Sequence, residues 1–241
     1  MKLRFIDRGV PANRRTAFLA AAFLGCAAYA NNIESWNTVQ GSLKEDSFEL
    51  GASEELRIGT DQAQTTKKID EIHTTAFVDF SVFDWLSVGV QDDYALLRNG
   101  SDTRYRRDNR PGVNIAVKGT FGGFDLMNRS RFVMRDLQGE RPYFRYRNLS
   151  KAFTPVLYDG AYLKGVRLFA AYEWYFDEGS KDRRIRKNDR FCQFWTDFGV
   201  RFRLSGVCAV DLFYRLAELK SASGHDWSPG HVVGTCLSFT F

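Results

Sequence analysis

The chain has 241 residues, 44% of them hydrophobic and 15% aromatic, with 34 Lys and Arg against 29 Asp and Glu and a mean hydropathy of −0.35. After Asn31 no stretch stays apolar over the roughly 20 residues that a spanning helix needs, so a bundle of membrane helices is excluded. The formal net charge of +5 sits mostly in the first thirty residues, which leaves no clustered basic face for nucleic acid, and no nucleic-acid partner is expected.

Lys2, Arg4, Arg8, Arg14 and Arg15 precede an apolar run from Ala17 to Ala28, and Ala28-Tyr29-Ala30 ends it. A basic start, a short apolar middle and a small-x-small end read as a secretory signal peptide over 1–30, cut before Asn31. A rival cut at Phe23-Leu24-Gly25-Cys26 would leave Cys26 acylated. With the signal removed, 29 cations face 28 carboxylates in a single domain over 31–241.

From there the chain alternates with a period of two, the strand signature. A first segment runs from about Ser35 to Leu43. Phe48, Leu50, Ala52, Leu56 and Ile58 then oppose Glu49, Ser53, Glu55 and Arg57, and Ile72 to Phe80 and Leu86 to Leu96 repeat the pattern. Val113, Ile115, Val117 and Phe121 lead into the tight turn Gly122-Gly123. Phe124, Leu126, Phe132 and Met134 oppose Asp125, Arg129, Arg131 and Arg135, and Phe144 and Tyr146 alternate with Arg145 and Arg147. The stripes Val166 to Phe176, Phe194 to Leu204 and Val210 to Leu216 follow. The last strand sets Val233, Thr235, Leu237, Phe239 and Phe241 against Val232, Gly234, Cys236, Ser238 and Thr240. Pro111, Pro142, Pro155 and Pro229 are expected at strand starts or in connections, where a missing N–H does no harm.

Strands apolar on one face only, heavy aromatic content and alternating short and long links predict an antiparallel up-and-down transmembrane β-barrel in the outer membrane. Eleven segments are visible. Because bacterial single-chain barrels have even strand numbers, about 12 strands are expected (10 possible), with an extra strand hidden in 98–121 or 151–165. Phe239 and the terminal Phe241 are the expected assembly signal for the barrel-assembly machinery; outer-membrane lipid and lipopolysaccharide are the expected surroundings, and the barrel is expected to be a monomer. Aromatics near strand ends (Trp85, Tyr94, Tyr143, Trp174, Tyr214) point the same way. Alternation is symmetric, however, so a soluble periplasmic barrel with an apolar lumen is the alternative.

Several short motifs occur in order: Trp36-Asn37, Glu55-Leu56-Arg57, Asn128-Arg129 with Arg131-Phe132, Arg145-Tyr146-Arg147, Glu173 with Tyr175-Phe176, and Asn188 with Arg190, parted by Asp189. Together they resemble a family of bacterial outer-membrane barrels known only as a domain of unknown function. The resemblance covers nearly all of the chain after the signal and implies a barrel but no activity.

Opposite the apolar stripes lie Arg129, Arg131, Arg135, Arg145, Arg147, Arg201, Arg203 and Arg215, with Glu173, Asp211 and other carboxylates on the same side. Charges enclosed in a lipid-bounded cylinder must pair, and the planar guanidinium suits pairing. The expected lumen is therefore an ion-pair lattice, plugged or forming a narrow pore for small anionic solutes favoured by the excess of Arg from Arg129 to Arg147. His73 is expected inside this lattice. A hydrolase would need a nucleophile, a base and an orienting group. Ser221, Ser223 or Ser228 with His225 or His231 and Asp226 are the candidates, but no motif joins them and the chain is expected not to be an enzyme. No cofactor is expected. No metal is either, because His73, His225 and His231 lack ligand spacing. Cys192 and Cys208 are expected on the apolar face and Cys236 on the other, as small fillers.

Overall fold

The computed structural model describes residues 34–60, 67–98, 104–160, 163–178, 191–220 and 227–241. The signal sequence and Cys26 lie outside the described residues, as does the Asn188–Arg190 motif.

Eleven strands are present among the described residues: β1 (Glu34–Lys44), β2 (Phe48–Thr60), β3 (Lys67–Phe83), β4 (Leu86–Arg98), β5 (Tyr105–Phe121), β6 (Phe124–Leu137), β7 (Tyr143–Phe153), β8 (Gly165–Glu178), β9 (Phe191–Arg203), β10 (Cys208–Lys220) and β11 (Trp227–Thr240). Each pairs antiparallel with its chain neighbours, and the ring closes between β1 and β11. The fold is thus the expected up-and-down barrel, but with eleven strands rather than twelve or ten. An odd number leaves the first and last strands pointing the same way, so closure is parallel, with nine residue pairs in register from Glu34↔Val232 to Ser42↔Thr240. Among the described residues, neither suspected hiding place contains an extra strand. The stretch near 98–121 is mostly the single 17-residue β5, and between β7 and β8 the described residues add the isolated bridge from Tyr158 to Val166 of β8.

Gly122 and Gly123 make the turn from β5 to β6 with φ of 57° and 81°. Both residues of a two-residue hairpin loop need positive φ if the turn is to match strand twist, and glycine adopts it without strain. Pro111 is a correction: it lies inside β5, not at its start. Its missing N–H is tolerated because Arg110 and Pro111 have no partner in the β5–β6 register, which passes from Asn109↔Asp136 to Gly112↔Val133.

Sidedness, ambiguous in the sequence, is decided here. Phe80, Val90, Phe132, Phe144, Leu168 and Phe198 are exposed on the outer wall, while Arg, Glu, Asp, Ser and Thr side chains line the interior. The soluble alternative required the reverse. Tyr143 is also corrected, since it turns inward and is buried rather than joining an outer aromatic girdle. Cys208 is buried and free, and Cys236 is free on the lumen side; the Cys192 side chain lies outside the description.

Aromatic rings on the inner face pack over glycines of the adjacent strand. Phe213 of β10 lies against Gly234 of β11, its register partner, so closely that any Cβ there would overlap the ring. That close approach is why a glycine interrupts the last strand.

Candidate functional site

The lumen falls into two compartments. One, of about 550 Å³, lies at the end of the long connections 61–66, 99–104, 138–142, 179–190 and 221–226; the other, of about 420 Å³, lies towards the opposite end. Arg57, Arg110, Arg147 and Trp195 line both.

Between them sits an aromatic layer. Trp36 (β1), Tyr175 (β8) and Trp195 (β9) are buried in one cluster with Ala217 and Val232. Tyr175 is only 2% exposed. Its ring centroid is 4.7 Å from that of Trp195, which meets Trp36 edge-on at 4.9 Å. Guanidinium groups clamp the layer: Arg57 lies 3.8 Å from the Trp36 centroid, Arg147 4.8 Å from Tyr175, and Arg215 4.3 Å from Trp195. Each clamp is held by carboxylates, Arg57 by Glu55 at 2.7 Å and by Glu71, Arg147 by Glu173 at 3.0 Å, and Arg215 by Asp197 at 2.6 Å. Desolvated cation–π contacts of this kind are worth about 2 kcal/mol each.

The vestibule above the layer is ordered by paired charges. Asp108 is fully buried and shared by Arg110 at 2.8 Å and by Arg135. Arg145 grips Asp177 with two parallel bonds of 2.5 and 2.6 Å, the fork geometry that suits guanidinium. His73, on the wall of the lower compartment, is buried between Asp93, 3.2 Å from Nδ1, and Glu71, 2.9 Å from Nε2, as a lattice member. Below the layer, Asp211 accepts two bonds from Arg201 at 2.6 and 2.7 Å and one from Lys151 at 3.4 Å.

Of the expected lattice residues, Arg147 pairs with Glu173 and Arg201 with Asp211, while Arg135, Arg145 and Arg215 pair with Asp108, Asp177 and Asp197. Arg129 and Arg131 face the lower compartment, yet the Nε of each is buried without a hydrogen-bond partner. Arg203 is a correction: it is exposed at the end of β9, where the strand runs past the charged interior into the turn.

Two features were missed from the sequence. One is the aromatic layer, whose only signal was that Trp195 and Tyr175 share a strand face with Asp197 and Glu173. The other is a polar cluster on the outer wall of β6 and β7. There Asn128 and Asn148 exchange amide hydrogen bonds of 3.0 and 3.1 Å, Asn128 also donates to Ser150, Asn148 donates to Ser130, and Ser130 bonds to Tyr146. Its signal was the gap between Leu126 and Phe132 in the apolar stripe.

Of the hydrolase candidates, Ser221, Ser223, His225 and Asp226 lie outside the described residues, as does the Ser228 side chain. His231 is on the outer wall of β11, with Nδ1 hydrogen-bonded to the Tyr214 hydroxyl. Among the described residues no group of three or more His, Cys, Asp and Glu side chains could hold a metal ion. Phe239 and Phe241 stack 6.4 Å apart at the short-turn end, where the Phe241 N–H donates to Ser42 and its carbonyl accepts from Lys44.

No curated protein matches the chain. Among solved structures, LpxR from Salmonella typhimurium is similar over 95% of this chain and 96% of its own, with a TM-score of 0.52 and 12% identity, a likeness of fold. It corrects the expectation that the chain is not an enzyme: LpxR is an enzyme, a lipid A deacylase of the outer membrane, so a barrel of this fold is no argument against catalysis. The family described as "Protein of unknown function (DUF2490)" matches residues 33–228. The motif order read from the sequence and this match agree, and the chain belongs to the DUF2490 family.

Proposed function

We propose that this protein is an outer-membrane barrel, exported by its signal peptide and inserted by the barrel-assembly machinery as a monomer among lipid and lipopolysaccharide. In this reading its lumen is closed at mid-depth, and small anionic solutes enter the vestibule from the long-loop side. The observation that carries the reading is the Trp36–Trp195–Tyr175 layer held by Arg57, Arg147 and Arg215. Seven arginines and five carboxylates line the vestibule above it, a surplus of positive charge in a confined space that raises local anion concentration. Planar-bilayer recording of the refolded protein tests this: wild type is expected to be silent, and the Trp36→Ala/Trp195→Ala variant to conduct with anion preference. Discrete steps from wild type would overturn closure.

A second reading, hydrolysis of a lipid acyl chain, is favoured by the LpxR likeness and by the Tyr214–His231 pair, which stands on the outer wall between β10 and β11. Incubation with lipid A followed by mass spectrometry tests it. Loss of an acyl chain that is abolished by His231→Ala would establish it; no loss with the folded wild type would remove it.

A further inference from the structure

The lower compartment holds a charge problem that the fold leaves unsolved. Nine cationic side chains and seven carboxylates line it. Arg57, Arg110, Arg147, Arg201 and Arg215 each have a carboxylate within 3.0 Å, and Lys151 shares Asp211 at 3.4 Å. Arg129 and Arg131 form no ion pair among the described residues, and their Nε atoms are buried without partners.

The register shows why. Inward neighbours of Arg129 are Ala116 on β5 and Leu149 on β7; those of Arg131 are Asn114 and Arg147. None is an acid, and Arg147 adds a third positive charge already committed to Glu173. Two guanidinium groups side by side in an enclosed space, next to a third, repel one another and have lost part of their hydration. Glu173 attracts both, and Asp79 and Glu49 attract Arg129, but among the described residues none of these carboxylates bonds either guanidinium, Glu173 being bonded to Arg147 and Tyr175. Asn114, the register partner of Arg131, adds a buried acceptor without a partner, its Oδ1, while its amide nitrogen is fixed by donation to Asp79 at 2.9 Å. Two guanidinium donors beside one amide acceptor match an oxyanion that carries a hydroxyl, of which hydrogen phosphate is the simplest.

We infer that Arg129 and Arg131, with Asn114, form an internal oxyanion site on the short-turn side of the aromatic layer, suited to hydrogen phosphate or a small phosphate monoester. The site is separate from the vestibule of the proposed function and does not depend on it.

Thermal unfolding in detergent, with inorganic phosphate titrated at constant ionic strength, tests the site. Wild-type melting temperature is expected to rise by a few degrees and saturate. Arg129→Gln/Arg131→Gln is expected to melt no lower than wild type without phosphate, because it removes mutual repulsion, and to lose the rise. Arg98→Gln/Arg106→Gln, in the vestibule, is expected to keep it. A flat wild-type titration, or a rise that survives in Arg129→Gln/Arg131→Gln, overturns the site. So does a rise seen only in micelles containing phosphatidylglycerol, which would place the phosphate on a lipid headgroup. Should the double variant not fold, calorimetric titration of Arg131→Gln beside wild type decides: loss or at least tenfold weakening of one saturable phosphate site supports the proposal, and unchanged binding, or no binding by wild type, overturns it.

Discussion

Trp36 of β1 and Trp195 of β9 meet inside the barrel with ring centroids 4.9 Å apart and planes at 78°, although two strands stand between them in the wall. The contact bridges β1 and β9 over the inner faces of β11 and β10, and the guanidinium of Arg215 lies 4.6 and 4.3 Å from the two rings. Removing either ring opens space in the buried layer and uncovers a clamped cation. Trp195→Ala alone is therefore expected to lower stability by about 3–5 kcal/mol, the usual cost of deleting a buried aromatic, measured by urea-dependent unfolding of the barrel in detergent. A loss below 1 kcal/mol would mean that the layer is not tightly packed.

Glu173 accepts a bond from Arg147 Nε at 3.1 Å and another from the Tyr175 hydroxyl at 2.7 Å. Glu173→Ala leaves Arg147 buried without its carboxylate, and breaking one side of a buried pair costs about 3–5 kcal/mol. Melting in detergent should fall clearly. Unchanged melting would show that the lattice at this position does not stabilise the fold.

Phe241 contributes twice at the seam, through its backbone bonds to Ser42 and Lys44 and through a side chain that is 66% exposed. Deleting Phe241 is expected to abolish the heat-modifiable folded band in cell envelopes. Phe241→Ala keeps the backbone bonds, so its purified form should refold in detergent while its assembly in cells is impaired. Normal assembly of both variants would remove the assembly-signal role.

Asn128 and Asn148 form a reciprocal amide pair on a wall whose neighbours are apolar. Each single change to Leu strands the partner's amide, whereas changing both removes that particular debt. A double-mutant cycle should give a coupling of about 0.6 kcal/mol or more, the scale found for side-chain hydrogen bonds in membrane proteins. Additive effects would argue that Ser130, Ser150 and Tyr146 satisfy each amide independently.

The barrel was legible because period-two alternation is a local property. Residues such as Leu168, Ala170 and Tyr172 must share a face whatever the strand pairs with, and Gly122-Gly123 names its own turn. The charged lattice was partly legible for the same reason, since Arg145, Arg147 and Glu173 lie off the apolar stripe. Alternation carries no sign, so which face looks inward was not in the sequence; ring closure decided it by burying one face against itself. Strand number and the parallel seam also depended on closure, because the pairing of Glu34 with Val232 joins residues nearly 200 positions apart and leaves no local trace. The same holds for partner choice among the charges. The sequence alone placed Arg129, Arg131 and Arg147 on one face, but only the cross-strand register left the first two beside Ala116, Leu149 and Asn114 and brought Glu173 to the third, because counter-charges in a barrel are set by neighbouring strands and by contacts across the lumen.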